Sequence, residues 1–594
     1  MKETGDTVET ISNPEHSSNT DNTNFRKEKR RIAYFSMEIG LDSKIPTYSG
    51  GLGVLAGDMI RSCADLSVPI VAVTLLYRDG YFYQKLDASG NQEELPFRWN
   101  PKELLSLLPA RTSVQIENRT VFVQAWEYLA TGISGYVVPV IFLDADIREN
   151  AEYDRSLTNY LYGGDEKYRL CQEIILGIGG VRMLKELGYH EIGRYHMNEG
   201  HSSLLTLELL NERKKTEERK KRATKMGEEE SDWDIDAVRR MCVFTTHTPV
   251  PAGQDQFSYD LVSQVLGGFV PTSLLKKLGG EGRFNMTLLA LNLSHYENGV
   301  AKEHGKVSQL LFPGYHIDSI TNGVYSVNWV CDSFRRLFDK YIRGWRNDPF
   351  SLRYALSIPR GEISSAHQEA KRKLIDHVSA RANVSLDYDV LTIGFARRAT
   401  AYKRADLVFS DIKRLIGISR NTGRVQFIFS GKAHPMDLQG KALIKKVVSV
   451  SRQLRGQVEV VYLENYDMEL ARMLISGVDL WLNTPRKPEE ASGTSGMKAA
   501  HNGVPSLSIL DGWWIEGCIE GLTGWSIGTA VMEKSRDVED ANHLYDKLES
   551  VVIPTFYRDT DRWIDMMRHS IAINGSFFNT HRMVLQYVLN AYLH

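Results

Sequence analysis

Cysteine is scarce in this chain and follows no pattern. The 594 residues include five cysteines, an odd number, and no two of them are spaced as Cys-x-x-Cys. These features argue against a disulfide framework and against a zinc site built on thiolates. No His-Glu-x-x-His motif is present, and no Gly-x-Ser-x-Gly motif falls in a strand-turn-helix setting. The sequence therefore predicts neither a metal centre nor a Ser-His-Asp hydrolase.

Long apolar runs and an excess of charge of one sign are missing as well. No run reaches the roughly 18 apolar residues that a membrane-spanning helix needs, and the N-terminal residues lack the apolar core of a signal peptide. The formal net charge of -2 gives no electrostatic reason to expect a nucleic acid or a membrane as partner. We predict a cytoplasmic protein with a disordered tail over residues 1–29.

Strand-like and helix-like segments alternate in two stretches of the chain. The first runs from a strand at 32–36 and a glycine turn into a helix near Gly50, and continues with a strand at 136–143, a helix at 168–187 and a strand at 243–246. The second stretch reads as strands at 390–395, 425–429, 458–463 and 480–483, separated by helices at 405–416, 443–454 and 468–476. This alternation predicts an α/β fold with parallel sheets and helices on both faces.

A loop of small residues that delivers one lysine is the most informative motif. Residues 490–498 read EASGTSGMK, in which the glycines allow close approach to a ligand and three hydroxyls can donate hydrogen bonds. A helix predicted to begin at Lys498 favours an anion such as phosphate. The small apolar neighbours of Lys498 predict a desolvated, nucleophilic amine that can bond covalently to a carbonyl group. A solvated lysine in an ordinary loop is the alternative interpretation.

Other candidate residues follow the predicted strands. The segment RRATAYKR, residues 397–404, places four positive charges at the end of a strand, which favours phosphate binding over a plain surface loop. In parallel sheets such loops line one crevice. Tyr466 is as compatible with a core position as with a ligand contact. The pattern Gly51-x-Gly53-x-x-Ala56 fits the dinucleotide-binding fingerprint, but on its own it is weak evidence for such a site. His201 and His247 would usually be structural histidines.

Together these segments resemble the α-glucan phosphorylases, the family of glycogen, starch and maltodextrin phosphorylases. The resemblance extends from about residue 31 to residue 511. It is carried by Ser49–Gly53, Asn198–His201, Thr246–Thr248, Thr321–Gly323, Arg397 and Arg398 followed by Tyr402–Arg404, Glu464–Tyr466 and Glu490–Lys498. The family has two Rossmann-like domains of the B-type glycosyltransferase fold, with the active site in the interdomain cleft.

The resemblance implies a division of the chain into five parts. Residues 1–29 would form the tail, 30–325 the N-terminal Rossmann-like domain with a charged insertion at about 211–232, and 326–385 a helical linker. Residues 386–563 would form the C-terminal, cofactor-binding Rossmann-like domain. The amphipathic pattern of residues 564–594, and not the resemblance, predicts a C-terminal helix that crosses back to the N-terminal domain.

The resemblance also implies a cofactor, pyridoxal 5′-phosphate, attached covalently to Lys498. The other implied cofactor contacts are Arg397, Lys403, Tyr466, Thr494 and Ser495. Beside Lys498, the implied catalytic residues are Gly50, Gly51, His247, Arg398 and Lys403, of which Arg398 and Lys403 match contacts to the substrate phosphate and the cofactor phosphate. Sugar-binding positions of the family match His201, His247, Asn322, Glu490, Ser492 and Gly493.

The implied reaction is reversible phosphorolysis of α-1,4-glucans from the non-reducing end, which releases α-D-glucose 1-phosphate with retained configuration. The implied partners are the glucan, inorganic phosphate and a second copy of the chain in a homodimer. The chain departs from the longer enzymes of the family at Ser495-Gly496, where they have Gly-Asn, and at three single positions. Arg397 stands where they have lysine, and Asp467 and Val54 stand where they have arginine. A nucleotide-sugar glucan synthase and a non-catalytic glucan-binding protein are the alternatives.

Overall fold

The computed structural model describes residues 30–214, 233–250, 253–528 and 536–593. The predicted tail over residues 1–29 lies outside these residues, and so does most of the charged segment at 211–232. Within the described part the chain is a mixed α/β structure with two large sheets in which parallel pairing prevails. The predicted α/β class with parallel sheets is therefore confirmed.

The first large sheet has nine strands in the described part of the chain, in the order β13-β12-β9-β8-β1-β2-β7-β6-β5. Pairing is parallel from β13 to β7, whereas β7, β6 and β5 pair antiparallel. The strands are β1 (Ile32–Ser36), β2 (Ile70–Leu75), β5 (Ser106–Ile116), β6 (Arg119–Thr131), β7 (Val137–Asp144), β8 (Arg194–Asn198), β9 (Cys242–Thr245), β12 (Tyr296–Gly299) and β13 (Asp318–Ser319). Two small hairpins pair β3 (Tyr83–Leu86) with β4 (Gln92–Leu95) and β10 (Gln256–Phe257) with β11 (Phe284–Asn285).

Both faces of this sheet are covered, as continuous apolar strands require. In β2 all six residues are buried, and Val71 and Val73 face one core whereas Ile70 and Ala72 face another. The covering helices are α1 (Gly51–Asp65), α2 (Glu152–Ser156), α3 (Glu166–Ile174), α4 (Gly180–Glu186), α5 (Leu205–Glu212), α6 (Ile235–Arg239), α7 (Tyr259–Leu266), α8 (Thr272–Gly279), α9 (Met286–Asn292) and α10 (Lys302–Leu311). A π-turn at Ile175–Gly179 joins α3 to α4, so the helix predicted at 168–187 is continuous.

The second large sheet is parallel throughout, in the order β16-β15-β14-β17-β18-β19. Its strands are β14 (Leu391–Ala396), β15 (Val425–Ser430), β16 (Glu459–Leu463), β17 (Leu480–Asn483), β18 (Ser506–Ile509) and β19 (Gly524–Ile527). Around it lie α11 (Ser326–Trp329), α12 (Asp332–Tyr341), α13 (Arg360–Ala382), α14 (Ile412–Asn421), α15 (Leu438–Leu454), α16 (Met468–Gly477), α17 (Ser495–Ala500), α18 (Trp514–Gly517), α19 (Asp537–Lys547), α20 (Ile553–Arg558) and α21 (Thr560–His569). The strands predicted for this stretch are confirmed within one or two residues.

One helix of this stretch is predicted wrongly. Instead of a helix at 405–416, the chain forms a 3-10 turn at Leu407–Phe409 and then α14 from Ile412. The Asp411 carboxylate accepts a hydrogen bond from the backbone N–H of Arg414 at 2.9 Å. This N-cap satisfies an amide that has no partner within the helix, so the helix begins after Asp411 and not before it.

The C-terminal segment contacts the first sheet. Helix α22 (Thr580–Tyr587) packs beside α1, where the hydroxyls of Thr580 and Ser62 lie 2.6 Å apart and His581 pairs with Asp65 at 2.9 Å. Further on, the Tyr592 hydroxyl lies 2.7 Å from Nδ1 of His196 in β8. Among the described residues, no helix is both long and apolar enough to cross a membrane.

Candidate active site

Two neighbouring cavities are lined by loops from both large sheets. The smaller, of about 230 Å³, is called cavity A, and the larger, of about 610 Å³, is called cavity B. Gly50, Gly51, His247 and Arg398 line both. Of the residues predicted for the site, only His201 is outside the lining of cavity A, and it lines cavity B. The others line cavity A: Gly50, Gly51, His247, Asn322, Arg397, Arg398, Lys403, Tyr466, Glu490, Ser492, Gly493, Thr494, Ser495 and Lys498.

The amine of Lys498 is buried at the wall of cavity A. Its Nζ lies 3.8 Å from the centroid of the Trp329 ring, which supplies a cation–π contact. The pKa of Lys498 is lowered to about 8, mainly by burial; the positive charge of Arg472 also lowers it, and Asp58 opposes the shift. The predicted desolvation of this amine is confirmed. The predicted helix start is wrong, because the short helix α17 begins at Ser495.

The loop before Lys498 depends on its glycines. Gly493 has a φ of +78°, a backbone conformation that favours glycine. A Cβ on Gly496 would lie 2.7 Å from the Trp513 ring, so the loop packs against that indole. Ser495 accepts a hydrogen bond from Nε1 of Trp481 at 3.1 Å, and thus one of its interactions is structural.

Two cations meet at one carboxylate in cavity A. Nη2 of Arg397 and Nζ of Lys403 lie 2.7 and 2.6 Å from Oε2 of Glu490. Burial alone would raise the pKa of Glu490, but the two cations lower it to about 2, so the group is ionised at neutral pH. Arg404, the last charge of the predicted phosphate loop, turns away and pairs with Asp540 at 2.8 Å.

Arg398 forms no salt bridge in the described part of the chain, although Glu38 acts on it from a longer distance. Its side chain packs against Gly50, since a Cβ on Gly50 would lie 3.1 Å from Cδ of Arg398. Glu38 holds the glycine turn by accepting hydrogen bonds from the N–H groups of Ser49 and Gly50 at 2.5 and 3.3 Å. The first turn of α1 follows, and its amides have no acceptor within the helix. A free guanidinium beside these amides suits an anion.

Neutral polar side chains line cavity A as well. The ring of His247 lies 2.7 Å from Oδ1 of Asn198, and burial lowers its pKa to about 3, so it is neutral at pH 7. Oδ1 of Asn322 is buried and has no hydrogen-bond partner among the described residues. In cavity B, His201 lies 3.3 Å from Asp255, and burial lowers its pKa to about 4.

Tyr466 and Asp467 close cavity A near the end of β16. Tyr466 is half-buried, and burial raises its pKa above the ordinary range, so its hydroxyl is neutral at pH 7. Asp467 accepts a hydrogen bond from the backbone N–H of Leu470 at 2.8 Å and caps α16. The carboxylate at this departure from the family pattern therefore has a structural role.

Sequence reasoning missed several residues of cavity A. Lys432 lines it, and burial lowers the pKa of this lysine to about 8. It follows the end of β15, so the rule that ligands lie beyond strand ends could have found it. No sequence pattern connects Lys498 with Trp329 or with Asp58 behind the Trp329 ring, because both residues lie more than 150 residues away in the sequence.

The chain matches the model of one protein family, described as carbohydrate phosphorylase, over residues 271–522. It is 40% identical to the maltodextrin phosphorylase of Thermococcus litoralis, over 95% of this chain and 71% of that protein. The glycogen phosphorylase of Aquifex aeolicus is 34% identical over 95% of this chain and 86% of its own length. The glycogen phosphorylase of Mycobacterium tuberculosis is 37% identical over 94% and 70%, respectively. The chain therefore belongs to the carbohydrate phosphorylase family of enzymes.

Proposed function

We propose that this protein catalyses reversible phosphorolysis of α-1,4-glucans from the non-reducing end, with pyridoxal 5′-phosphate as cofactor. The products would be a glucan shortened by one residue and α-D-glucose 1-phosphate with retained configuration. Family membership supports the general reaction, since the relatives are named as maltodextrin and glycogen phosphorylases. The residues of cavity A support the cofactor and the substrates.

The composition of cavity A fits pyridoxal 5′-phosphate. Lys498 offers a buried amine with a pKa of about 8, which is a suitable nucleophile for an aldehyde. Tyr466 and Thr494 line the same cavity and would contact the cofactor, together with Ser495. Arg397 and Lys403 would bind its phosphate group, because ionised groups make the strongest hydrogen bonds to phosphate oxygens.

Inorganic phosphate would bind beside the cofactor. Arg398 has no salt-bridge partner in the described part of the chain, and its guanidinium can grip two phosphate oxygens at once. The backbone amides of Gly50 and Gly51 at the start of α1 would add hydrogen bonds to the same anion. Two phosphate groups repel each other unless cations surround them, so the positive charge of Lys403 would reduce that repulsion.

The glucan end would occupy the polar side of the two cavities. Asn322, whose buried Oδ1 lacks a partner among the described residues, would bind a sugar hydroxyl. His247, Ser492, Gly493 and Glu490 line the same space, and His201 would contact the glucan from cavity B. When Arg397 and Lys403 bind phosphate, Glu490 would lose its salt bridges to them and accept a hydrogen bond from a sugar hydroxyl.

The reaction needs a proton at the glycosidic oxygen and a nucleophile at C1. The bond between C1 and the glycosidic oxygen breaks, substrate phosphate protonates the departing oxygen, and a phosphate oxygen then bonds to C1. When bound, pyridoxal 5′-phosphate supplies a phosphate group with a pKa near 6 that can return a proton to substrate phosphate. Arg398 and the glycine amides hold the attacking phosphate in place, and neutral His247 and Asn322 orient the sugar.

We also propose that the two large sheets belong to two Rossmann-like domains of the B-type glycosyltransferase fold, with the active site in the cleft between them. The proposed bounds are residues 30–325 and 386–563, joined by the linker at 326–385. The lining of cavities A and B by loops from both sheets supports this division. The hydrogen bonds of Thr580 and His581 to α1 support a return of the segment at 564–594 to the first domain.

The observation that carries the proposal is the buried Lys498 amine in a cavity lined by Arg397, Arg398 and Lys403. The test is to incubate the protein with maltodextrin, phosphate and pyridoxal 5′-phosphate and to measure glucose 1-phosphate. We expect product only when all three are present, and none from Lys498→Ala. Lys446→Ala, an exposed lysine that pairs with Asp406 outside both cavities, is the control and should retain full activity.

Two results would refute the proposal. Product formation that is independent of pyridoxal 5′-phosphate and retained in Lys498→Ala would remove the role of the lysine. If the protein elongates a glucan from a nucleotide sugar and forms no glucose 1-phosphate from glucan and phosphate, it would be assigned to the glucan synthases.

A further inference from the structure

Asp58 is a buried carboxylate behind the wall of cavity A. It lies in α1, one turn after Val54 and Leu55, which line the cavity. Its Oδ2 accepts hydrogen bonds from Nε1 of Trp329 at 2.7 Å and from the backbone N–H of Tyr325 at 3.1 Å. The carboxylate thus fixes the edge of the indole whose face contacts Lys498.

The Trp329 ring connects the carboxylate and the amine. Nζ of Lys498 lies 3.8 Å from the ring centroid, and the ring donates its only N–H to Asp58. A hydrogen bond to a carboxylate is stronger than one to a neutral acceptor, and it holds the ring in one orientation. The position of the Lys498 amine therefore depends on a residue that does not line the cavity.

Two arginines, Arg61 and Arg472, act on Asp58, and Arg472 also lies 5.8 Å from the centroid of the Trp329 ring. The nearby carboxylates Glu469 and Asp65 act on Arg472 and Tyr325, respectively. Arg472 donates to Oδ1 of Asn328 at 3.0 Å and lowers the pKa of Lys498. Of the two charged residues that act on the Lys498 amine in the described part of the chain, Asp58 favours its charged form and Arg472 disfavours it.

We propose that Asp58 is a positioning residue for Lys498: it fixes the Trp329 ring against the amine, and its negative charge opposes the loss of the ammonium proton in this buried site. The inference rests on the proposed role of Lys498 as the cofactor lysine. Asp58 keeps the amine in one place and adjusts the fraction that is uncharged and able to react with an aldehyde. Without the carboxylate, no negative charge would oppose the lowering of the Lys498 pKa by burial and by Arg472.

The test measures the proton affinity of Lys498 in the full-length chain freed of cofactor. The rate of acetylation of Lys498 by a low concentration of acetic anhydride is followed against pH by mass spectrometry of the Lys498 peptide. The wild-type midpoint is expected near pH 8. Asp58→Asn keeps an acceptor for Trp329 and removes the charge, so we expect its midpoint to fall by roughly one pH unit.

The matched control is Asp65→Asn, which neutralises a buried carboxylate of the same helix that pairs with His581. Its Lys498 midpoint should equal that of the wild type. Asp58→Ser, a smaller residue with an oxygen acceptor, serves if Asp58→Asn does not fold, and it should lower the midpoint in the same way. An unchanged or raised midpoint in a folded Asp58 variant would overturn the inference.

A separate arm tests the cofactor lysine itself. Wild-type protein is incubated with pyridoxal 5′-phosphate, reduced with borohydride and digested. If the cofactor is not attached to Lys498, the proposed function fails whatever the acetylation midpoints are. If it is attached and the Asp58 variants have the wild-type midpoint, only the inference about Asp58 fails.

Discussion

Cavities A and B share part of their walls but differ in charge. Cationic side chains prevail in cavity A, with Arg397, Arg398, Lys403, Lys432 and Lys498 against the carboxylates of Asp467 and Glu490. Carboxylates prevail in cavity B, with Glu38, Asp165, Glu166, Glu199, Asp255 and Glu489 against Arg169 and Arg398. Arg398 stands at the boundary and lines both.

The difference matches two kinds of ligand. Cations and backbone amides in a small, partly dry space bind phosphate groups. A wider space lined by carboxylates and by the rings of Tyr81 and Tyr162 suits a neutral chain of sugars, which offers hydroxyl donors and apolar ring faces. In this arrangement an anion would bind in cavity A and a polyhydroxyl chain in cavity B, and the two ligands would be adjacent near Arg398, which lines both cavities.

The substitution in cavity A with the largest expected effect on stability is Glu490→Gln. The change leaves Arg397 and Lys403 buried without the carboxylate that they share, and we expect a loss of about 3–5 kcal/mol in the free energy of unfolding at pH 7. Chemical denaturation measures it. Glu489→Gln, the neighbouring residue with no salt bridge among the described residues, is the control and should change stability by less than about 0.5 kcal/mol.

For the same variant we also predict a change in the pH dependence of stability. The folded pKa of Glu490 is about 2, below the ordinary value of about 4.3 in an unfolded chain. As the pH falls below about 4.3, the unfolded chain takes up the proton first, so the stabilisation is present above that pH and is lost as the pH approaches 2. Glu490→Gln should therefore lose stability less steeply than the wild type between pH 4.3 and 2. Parallel curves would contradict this assignment.

The next largest effect should come from Arg398→Leu. Loss of a charged hydrogen-bond donor costs about 1.5–3 kcal/mol, so we expect the KM for phosphate to rise by roughly 10-fold to 150-fold. The KM for maltodextrin should change less. Arg486→Leu removes an arginine that pairs with Asp537 outside both cavities and should leave both values unchanged. An equal rise in the two KM values would contradict the assigned separation of ligands.

In cavity B the informative change is Asp255→Asn. Asp255 lies 3.1 Å from Arg169 and 3.3 Å from His201, so the variant removes contacts that hold the part of cavity B proposed to bind the glucan. We expect the KM for maltodextrin to rise about tenfold, equivalent to about 1.4 kcal/mol, with little change for phosphate. Asp260→Asn, an exposed residue in the first turn of α7, is the control. A selective effect on phosphate would reverse the roles of the two cavities.

An effect as small as that of Asp255→Asn, but on stability, is expected from Gly493→Ala. The alanine Cβ disfavours a φ of +78°, which should cost about 1–2 kcal/mol of stability by thermal or chemical unfolding. At Gly361, in the first turn of α13, a Cβ meets nothing within 4 Å, and Gly361→Ala should be neutral or stabilising by up to about 1 kcal/mol. Equal effects of both substitutions would show that backbone strain does not shape the lysine loop.

Much of the second sheet could be predicted because its buried strands are short apolar runs, such as β14 and β15, with every residue buried. Helix boundaries were less predictable. Both α14 and α15 begin directly after an aspartate, Asp411 or Asp437, whose side chain caps the helix. Apolar periodicity located these helices only in part, because the caps, and not the apolar residues, determine where they begin.

The site shows the same limit. The predicted residues other than His201 line cavity A because the ends of parallel strands meet at one edge of a sheet. The pairing of Glu490 with two cations and the contact of Trp329 with Lys498 depend on residues far apart in the sequence. A single sequence carries no information on which distant side chains meet, so these contacts became evident only in the folded chain.

The most direct test of the account is to identify the residue that carries the cofactor. Protein incubated with pyridoxal 5′-phosphate is reduced with borohydride, digested and analysed by mass spectrometry. The account predicts that the reduced pyridoxyl phosphate is attached to the peptide that contains Lys498 and to no other at stoichiometric level. Unmodified Lys498 in protein that still forms glucose 1-phosphate from maltodextrin and phosphate would contradict it.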